Sequence, residues 1–158
     1  MSQPESTSQN VLPTWVESSL IKGMLRGIER ESLRMQSDGF LSQADHPQAL
    51  GSALTHPHIT TDYSEALLEF ITPPQPSINE ALHYLKDIHS VAHRHLEHGE
   101  KLWPLSMPCM LDDNDDKIRL AQYGSSNIGK FKTLYRHGLG VRYGRRMQTI
   151  SGLHYNLS

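Results

Sequence analysis

Polar and apolar positions alternate through residues 27–39, GIERESLRMQSDG, and the run ends in a Ser-Asp-Gly turn signal. The pattern predicts a strand entering a hairpin, with Phe40-Leu41 returning as a short partner. A two-residue side-chain period sets Glu29 and Glu31 on one face, roughly 7 Å apart, with Leu33 continuing that face. Ile28, Arg30, Ser32 and Arg34 point the other way. Upstream, Leu12, Trp15, Val16, Leu20, Met24 and Leu25 recur at near-helical spacing and predict a helix over 10–25, behind a frayed Ser/Gln-rich start.

Further along, His46-Pro47-Gln48 suits the start of a short helix through Leu54, with Pro47 in the first turn. His56-Pro57-His58 forces an extended stretch leading into residues 59–63. Residues 64–72, SEALLEFIT, carry Glu65 and Glu69 on one face, and their aromatic, β-branched end closed by Pro73-Pro74 favours a strand. Residues 77–98 predict a helix. Ile78, Leu82, Leu85, Ile88, Val91 (or Ala92) and Leu96 form its core stripe, and Ser77 with Glu80 forms its capping box. The two prolines of WPLSMPCM, 103–110, make that stretch irregular. Asn127 caps a helix over 128–137 that ends at Gly138 and Gly140, with Phe131, Leu134 and Tyr135 facing inward. The last run, 147–158, predicts a strand whose Gln148, Ile150, Gly152, His154 and Asn156 share a face. It stops in mid-alternation, so the chain reads as the N-terminal portion of a longer protein.

Composition adds bounds. The chain has 158 residues, enough for one cored domain, although only 37% are hydrophobic. Cys109 is the single cysteine, so no internal disulfide forms, and the expected compartment is the cytoplasm. Its neighbours Pro108 and Met110 give no electropositive setting, which favours a buried structural thiol. There is no secretory h-region and no apolar run of membrane-spanning length. All 17 acids lie at or before Asp116, whereas eight of the 15 Lys/Arg follow it. Such polarity fits anion binding by one part and metal binding by the other, or pairing of the two parts.

Candidate chemistry centres on acids. Glu29 and Glu31 form either a solvated face neutralised by Arg26, Arg30 and Arg34, or one wall of a divalent-cation cradle. Asp62, Glu69 and His154 are further candidate ligands; carboxylates suit magnesium, and one imidazole among them also suits manganese. His89 and His93, at i,i+4, find no evident third ligand. The run DDNDD, 112–116, lacks the glycine and distal Glu of a calcium loop and reads as a solvated acidic turn. Lys130, Lys132, Arg136, Arg142, Arg145 and Arg146 present either phosphate-binding groups or a nucleic-acid stripe, on which Tyr135 and Tyr143 would stack.

Several stretches together carry a family resemblance: GIERESLR, ALGSALTHPHITTDYSEALLEFITP, WPLSMPC, LAQYGSSNIGKFKTLYRHGL and YGRRMQTISGLHYNLS. They resemble the start of bacterial glutamate–cysteine ligase, over nearly the whole chain after about residue 20. The resemblance implies an α+β fold: part of a glutamine synthetase-like antiparallel sheet cradle with helices packed outside. Residues 1–20 would be an arm and the start of the first helix. Residues 21–158 would be the N-terminal part of the catalytic domain, cut short at its C-terminal end and inactive alone.

The implied reaction joins the γ-carboxylate of L-glutamate to the amino group of L-cysteine, with ATP and Mg2+ (Mn2+ as the alternative), through an acyl phosphate. The family's metal positions fall on Glu29, Glu31, Asp62, Glu69 and His154. Tyr63 and Tyr135 fall on its cysteine pocket, where some members carry Phe in place of Tyr63. Arg136 falls on the position approaching the transferred phosphoryl group, and Gln148 and Asn156 on substrate contacts. A monomeric full-length protein, with no membrane and no nucleic-acid partner, is the corresponding expectation. The alternative is a non-catalytic nucleic-acid- or anion-binding module using the basic C-terminal third.

Overall fold

The computed structural model describes residues 22–158. Most of the helix expected over 10–25 lies outside them, as does the arm over 1–20; residues 22–25 form a turn and coil. Five strands follow: β1 (Arg26–Met35), β2 (Ile59–Thr61), β3 (Leu67–Ile71), β4 (Lys101–Leu102) and β5 (Leu153–Leu157). Two long helices are α1 (Ile78–Arg94) and α2 (Asn127–Tyr143). All strand pairings are antiparallel. The order is β2-β3-β1-β4, and β5 also pairs with β1, which is therefore the central strand. The expected α+β antiparallel sheet is present.

The alternation in β1 has the predicted consequence. Glu31 stands opposite Glu69, Leu33 opposite Leu67, and Glu29 opposite His154. Directly paired residues point to the same side, so acids from β1 and β3 and the β5 imidazole share a face. The opposite side carries Leu68 and Phe70 of β3 and Ile59 of β2, and α1 covers it with Ile88 and Ala92. The Ser77 hydroxyl accepts from the Glu80 amide at 3.2 Å, forming the predicted N-cap, and donates to the Glu80 carboxylate at 2.7 Å; the carboxylate takes the hydroxyl in place of the Ser77 amide that a full capping box uses. The buried edge of α1 runs through Ala81, Ile88 and Ala92, and Ile78 and Leu82 are half exposed. Ala92 rather than Val91 is the inward residue, because small side chains let the helix approach the sheet.

Other expectations are corrected. The helix expected over 46–54 is a single 3-10 turn, Gln48–Leu50, with Pro47 at its cap. The strand expected over 64–72 begins only at Leu67. Before it the chain turns, and Glu65 is buried away from Glu69, accepting from the backbone amides of His46 (2.9 Å) and Gln122 (2.5 Å). α2 is capped by Ser126 rather than Asn127 and runs through Gly138 and Gly140. A Cβ on Gly140 would collide with the Tyr63 hydroxyl, so this glycine is required inside the helix for close packing. Phe131, Leu134 and Tyr135 are all exposed, contrary to expectation. The final strand starts at Leu153; Arg146–Thr149 is a 3-10 turn, so Gln148 leaves the predicted strand face.

A buried ion pair ties the end of β1 to the loops around it. Arg34 Nη1 lies 3.0 Å from both Glu100 oxygens, and Nη2 donates to the carbonyls of Ala44 (2.8 Å) and Glu65 (2.9 Å). The Ser42 hydroxyl also donates to Glu100. Above this tie, Leu33, Leu41, Tyr63, Leu67, Cys109 and Ile118 form an apolar cluster. Burial raises the Cys109 thiol pKa, as expected of a structural cysteine.

Candidate functional site

Three strands build the acidic face. The Glu29 carboxylate lies 3.2 Å from His154 Nδ1 and accepts from Asn156 Nδ2 at 2.8 Å, so β1 and β5 are joined side chain to side chain. Glu31, 9% exposed, accepts from the Gly152 amide at 2.7 Å. Burial is the main reason its pKa is raised; that amide opposes the shift, and Asp62 adds to it. Glu69 is pushed up to about 7, first by burial and then by Asp62, Glu31 and Glu29, against an opposing Arg136. Asp62, Glu31 and Glu29 lie near enough to Glu69 for their charges to oppose its ionisation.

Arg136 closes the patch from α2. Its Nε donates to the Asp62 carbonyl, its Nη2 lies 3.5 Å from Asp62 Oδ1, and its Nη1 donates to the Lys132 carbonyl at 3.1 Å. The guanidinium also stacks 4.7 Å above the Tyr123 ring. A guanidinium has five N–H groups, so Arg136 keeps donors for an anion while its position is fixed.

The donor set fits a hard divalent cation in kind: four carboxylates, one imidazole and an excess of negative charge. None of the ion pairs among the described residues involves Glu69. As oriented, no three acidic, His or Cys side chains among the described residues converge as a ready metal site. The physical reason is visible in the hydrogen bonds: Glu29 is turned to His154 and Asn156, and Glu31 to Gly152. A cation would compete with those partners.

The other predicted residues are distributed unevenly. Asn156 joins the acidic face through Glu29. Tyr63 is 1% exposed and packed in the apolar cluster, its pKa raised by burial. Tyr135 is exposed on α2, and Gln148 lies in the 3-10 turn. These three are not gathered with the carboxylates into a closed pocket. A groove of about 690 Å³ does exist, but behind the sheet, where Arg30, Ser32, Leu85, His89 and Trp103 line it.

The basic third is largely engaged. Arg146 Nε lies 2.6 Å from Asp115, and Arg145 Nη2 lies 3.3 Å from Asp116. The acidic turn is thus paired with the late arginines rather than only solvated, and its 3-10 turn Asp115–Lys117 is capped by Asn114. Sequence reading missed Tyr123 and Gly152. An aromatic residue three positions before the Ser126 cap was the available signal for the first; the second contributes only its amide, which leaves no trace in residue type. His89 is a packing residue: its ring meets Phe70 edge-on, and burial, with Arg30 adding, lowers its pKa to about 4.

The fold and site define an antiparallel sheet with an acidic face and an arginine at its margin. The comparisons with known proteins are more specific. The family model for glutamate–cysteine ligase matches residues 10–158, and the chain belongs to that family. It is 57% identical over 141 residues to the glutamate–cysteine ligase of Alcanivorax borkumensis, covering 89% of this chain and 26% of that protein. Against the Hahella chejuensis enzyme it is 60% identical over 133 residues, covering 84% of the chain and 25% of the relative. The crystal structure of the Francisella tularensis ligase in complex with AMP superposes with a TM-score of 0.82 at 46% identity, covering 85% of this chain and 27% of that one. A bifunctional glutathione synthetase from Pasteurella multocida gives 0.75 at 37% identity, with 85% and 17% covered. The chain spans about a quarter of the length of the curated relatives it matches. No helix among the described residues is long and apolar enough to cross a membrane.

Proposed function

We propose that the chain supplies the metal- and phosphoryl-facing wall of an ATP-dependent ligase that joins L-glutamate to L-cysteine through the γ-carboxylate. The observation that carries this reading is the single acidic face of Glu29, Glu31, Asp62 and Glu69, with His154 across from Glu29 and Arg136 held at Asp62. Family membership and the AMP-bound Francisella relative support a nucleotide co-substrate. In the reaction, a glutamate γ-carboxylate oxygen attacks the terminal phosphorus of ATP and ADP leaves. The cysteine amino nitrogen then attacks the acyl phosphate carbon; phosphate leaves, and the nitrogen loses a proton.

Glu29, Glu31, Asp62, Glu69 and His154 would hold Mg2+ or Mn2+. The ions would supply charge neutralisation at the phosphates and the reacting carboxylate. Arg136, with donors left after anchoring to Asp62, binds the oxygens of the phosphoryl group in flight. Asn156 and Gln148 are assigned to substrate contacts, and Tyr63 and Tyr135 to the cysteine side. We assign residues 21–158 to the catalytic domain of a monomeric cytoplasmic protein.

The test uses the full-length protein. Magnesium-dependent γ-glutamylcysteine formation is expected, with Glu29→Gln and Glu69→Gln each lowering kcat/KM by on the order of 100-fold and weakening Mn2+ binding in electron paramagnetic resonance titrations. Rates and affinities within a few-fold of wild type in both variants would remove the metal assignment.

A further inference from the structure

We propose that Tyr123 is a positioning residue of this site: its hydroxyl holds the main chain at Asp62 and its ring seats the Arg136 guanidinium, so one side chain fixes the spacing between the residue that carries the carboxylate and the arginine beside it. The inference rests on the ligase reading above and adds to it a residue outside the ligand set. Tyr123 is buried, 5% exposed. Its hydroxyl lies 2.7 Å from the Thr61 carbonyl and 2.9 Å from the Asp62 carbonyl. A phenol has one proton to donate, so the two carbonyls share it. The Asp62 carbonyl also receives Arg136 Nε, and the Asp62 amide donates to Leu67 at 3.0 Å. The Asp62 main chain is therefore held on both sides, while its side chain remains 43% exposed and available to a ligand.

The ring does separate work. The Arg136 guanidinium rests 4.7 Å and the Lys132 ammonium 5.0 Å from the ring centroid. Cations above an aromatic face are attracted by its quadrupole, and a buried ring offers a fixed surface. Tyr123 is itself braced. The Ala121 amide donates to the Tyr63 carbonyl at 3.0 Å, and Thr133 Oγ1 donates to the Ala121 carbonyl at 2.9 Å. Residues 121–123 thus join the segment after β2, which bears Asp62, to the helix bearing Arg136.

The two functions separate by substitution. Tyr123→Phe keeps the ring and loses only the hydroxyl; Tyr123→Leu loses both. In the full-length protein, Phe is expected to weaken Mn2+ binding about tenfold, because the main chain that carries a ligand loses one of its anchors. Leu is expected to lower kcat further, by on the order of 100-fold in total, because Arg136 loses its seat. Phe restoring most of the kcat lost in Leu is the signature of the ring's separate role. Mn2+ affinity, read by paramagnetic resonance without substrates, and kcat, read below the melting temperature, distinguish this from a packing role, which would lower Tm alone. Mn2+ affinity within twofold of wild type in the folded Phe variant would overturn the proposal, whether or not Leu folds. Absence of ligase activity in the wild-type protein would instead refute the ligase reading, leaving the Mn2+ comparison to decide Tyr123.

Discussion

The most exacting stability prediction concerns Arg34 and Glu100. Both side chains are buried, at 0% and 2% exposure. Glu100 neutralises the guanidinium through two 3.0 Å contacts and itself accepts from Ser42. Glu100→Leu removes the countercharge and strands a cation, which costs about 3–5 kcal/mol. Glu100→Gln keeps an acceptor but removes the charge, and about 2 kcal/mol is expected. Arg34→Met strands the glutamate instead, and frees the Ala44 and Glu65 carbonyls, each costing about 1–3 kcal/mol if left unpaired.

The double variant Arg34→Met with Glu100→Leu carries only the carbonyl cost, because no charge remains. It should therefore be more stable than the sum of the single losses predicts, by about 3 kcal/mol. Urea unfolding followed by tryptophan fluorescence reads this directly. With a slope of roughly 1–3 kcal/mol per molar urea, Glu100→Leu should lower the midpoint by on the order of 2 M. Strictly additive losses, or a Glu100→Leu loss below about 1 kcal/mol, would refute the argument from charge compensation.

Two further predictions follow from burial and contact. His89 titrates near 6.5 when unfolded and near 4 when folded, so the unfolded chain binds the extra proton between those values. The stability that depends on neutral His89 is complete above 6.5 and is lost as pH falls toward 4, to a ceiling of about 3 kcal/mol. Denaturation at stepped pH should show a shallower acid limb in His89→Gln, and an unchanged limb would sink the assignment. A Cβ on Gly129 would lie 2.5 Å from the Tyr123 carbonyl oxygen and 2.9 Å from that of Gly124. These are backbone atoms, so Gly129→Ala must displace the first turn of α2, at about 1–3 kcal/mol. A thermal melt showing an Ala variant as stable as wild type contradicts this.

Where sequence reading succeeded, the local pattern and the tertiary environment agreed. β1 was legible because a two-residue period separates Glu29, Glu31 and Leu33 from Arg30, Ser32 and Arg34 whatever each side packs against, and α1 showed its stripe and N-cap because one of its sides lies on the sheet. α2 misled because its inward positions are Gly129, Thr133, Arg136, Leu139 and Gly140, of which only Leu139 packs against the apolar cluster while the others meet polar backbone or the Tyr63 hydroxyl. Its large apolar residues, Phe131, Leu134 and Tyr135, face out, so a hydrophobic-inward rule chose the wrong side. For the site, residue types and alternation made Glu29 and Glu31 visible as a pair. The partnership with Glu69 and His154 depends on strand register, which spacing along a chain does not specify, and the family resemblance supplied it.

The arrangement of β1 also bears on how the chain survives its own synthesis. Its partners follow in the order β3, β4 and β5, and His154, which faces Glu29, is 125 positions later. A strand that emerges early therefore waits with open edges until more than a hundred further residues have been made, the circumstance in which neighbouring molecules pair wrongly. Glu29, Arg30, Glu31 and Arg34 space charge along that strand on both faces. Charges of this kind discourage intermolecular sheet growth. The residues that give the finished face its chemistry would thus also guard the unfinished one, and their neutral replacements are expected to lower soluble yield as well as rate.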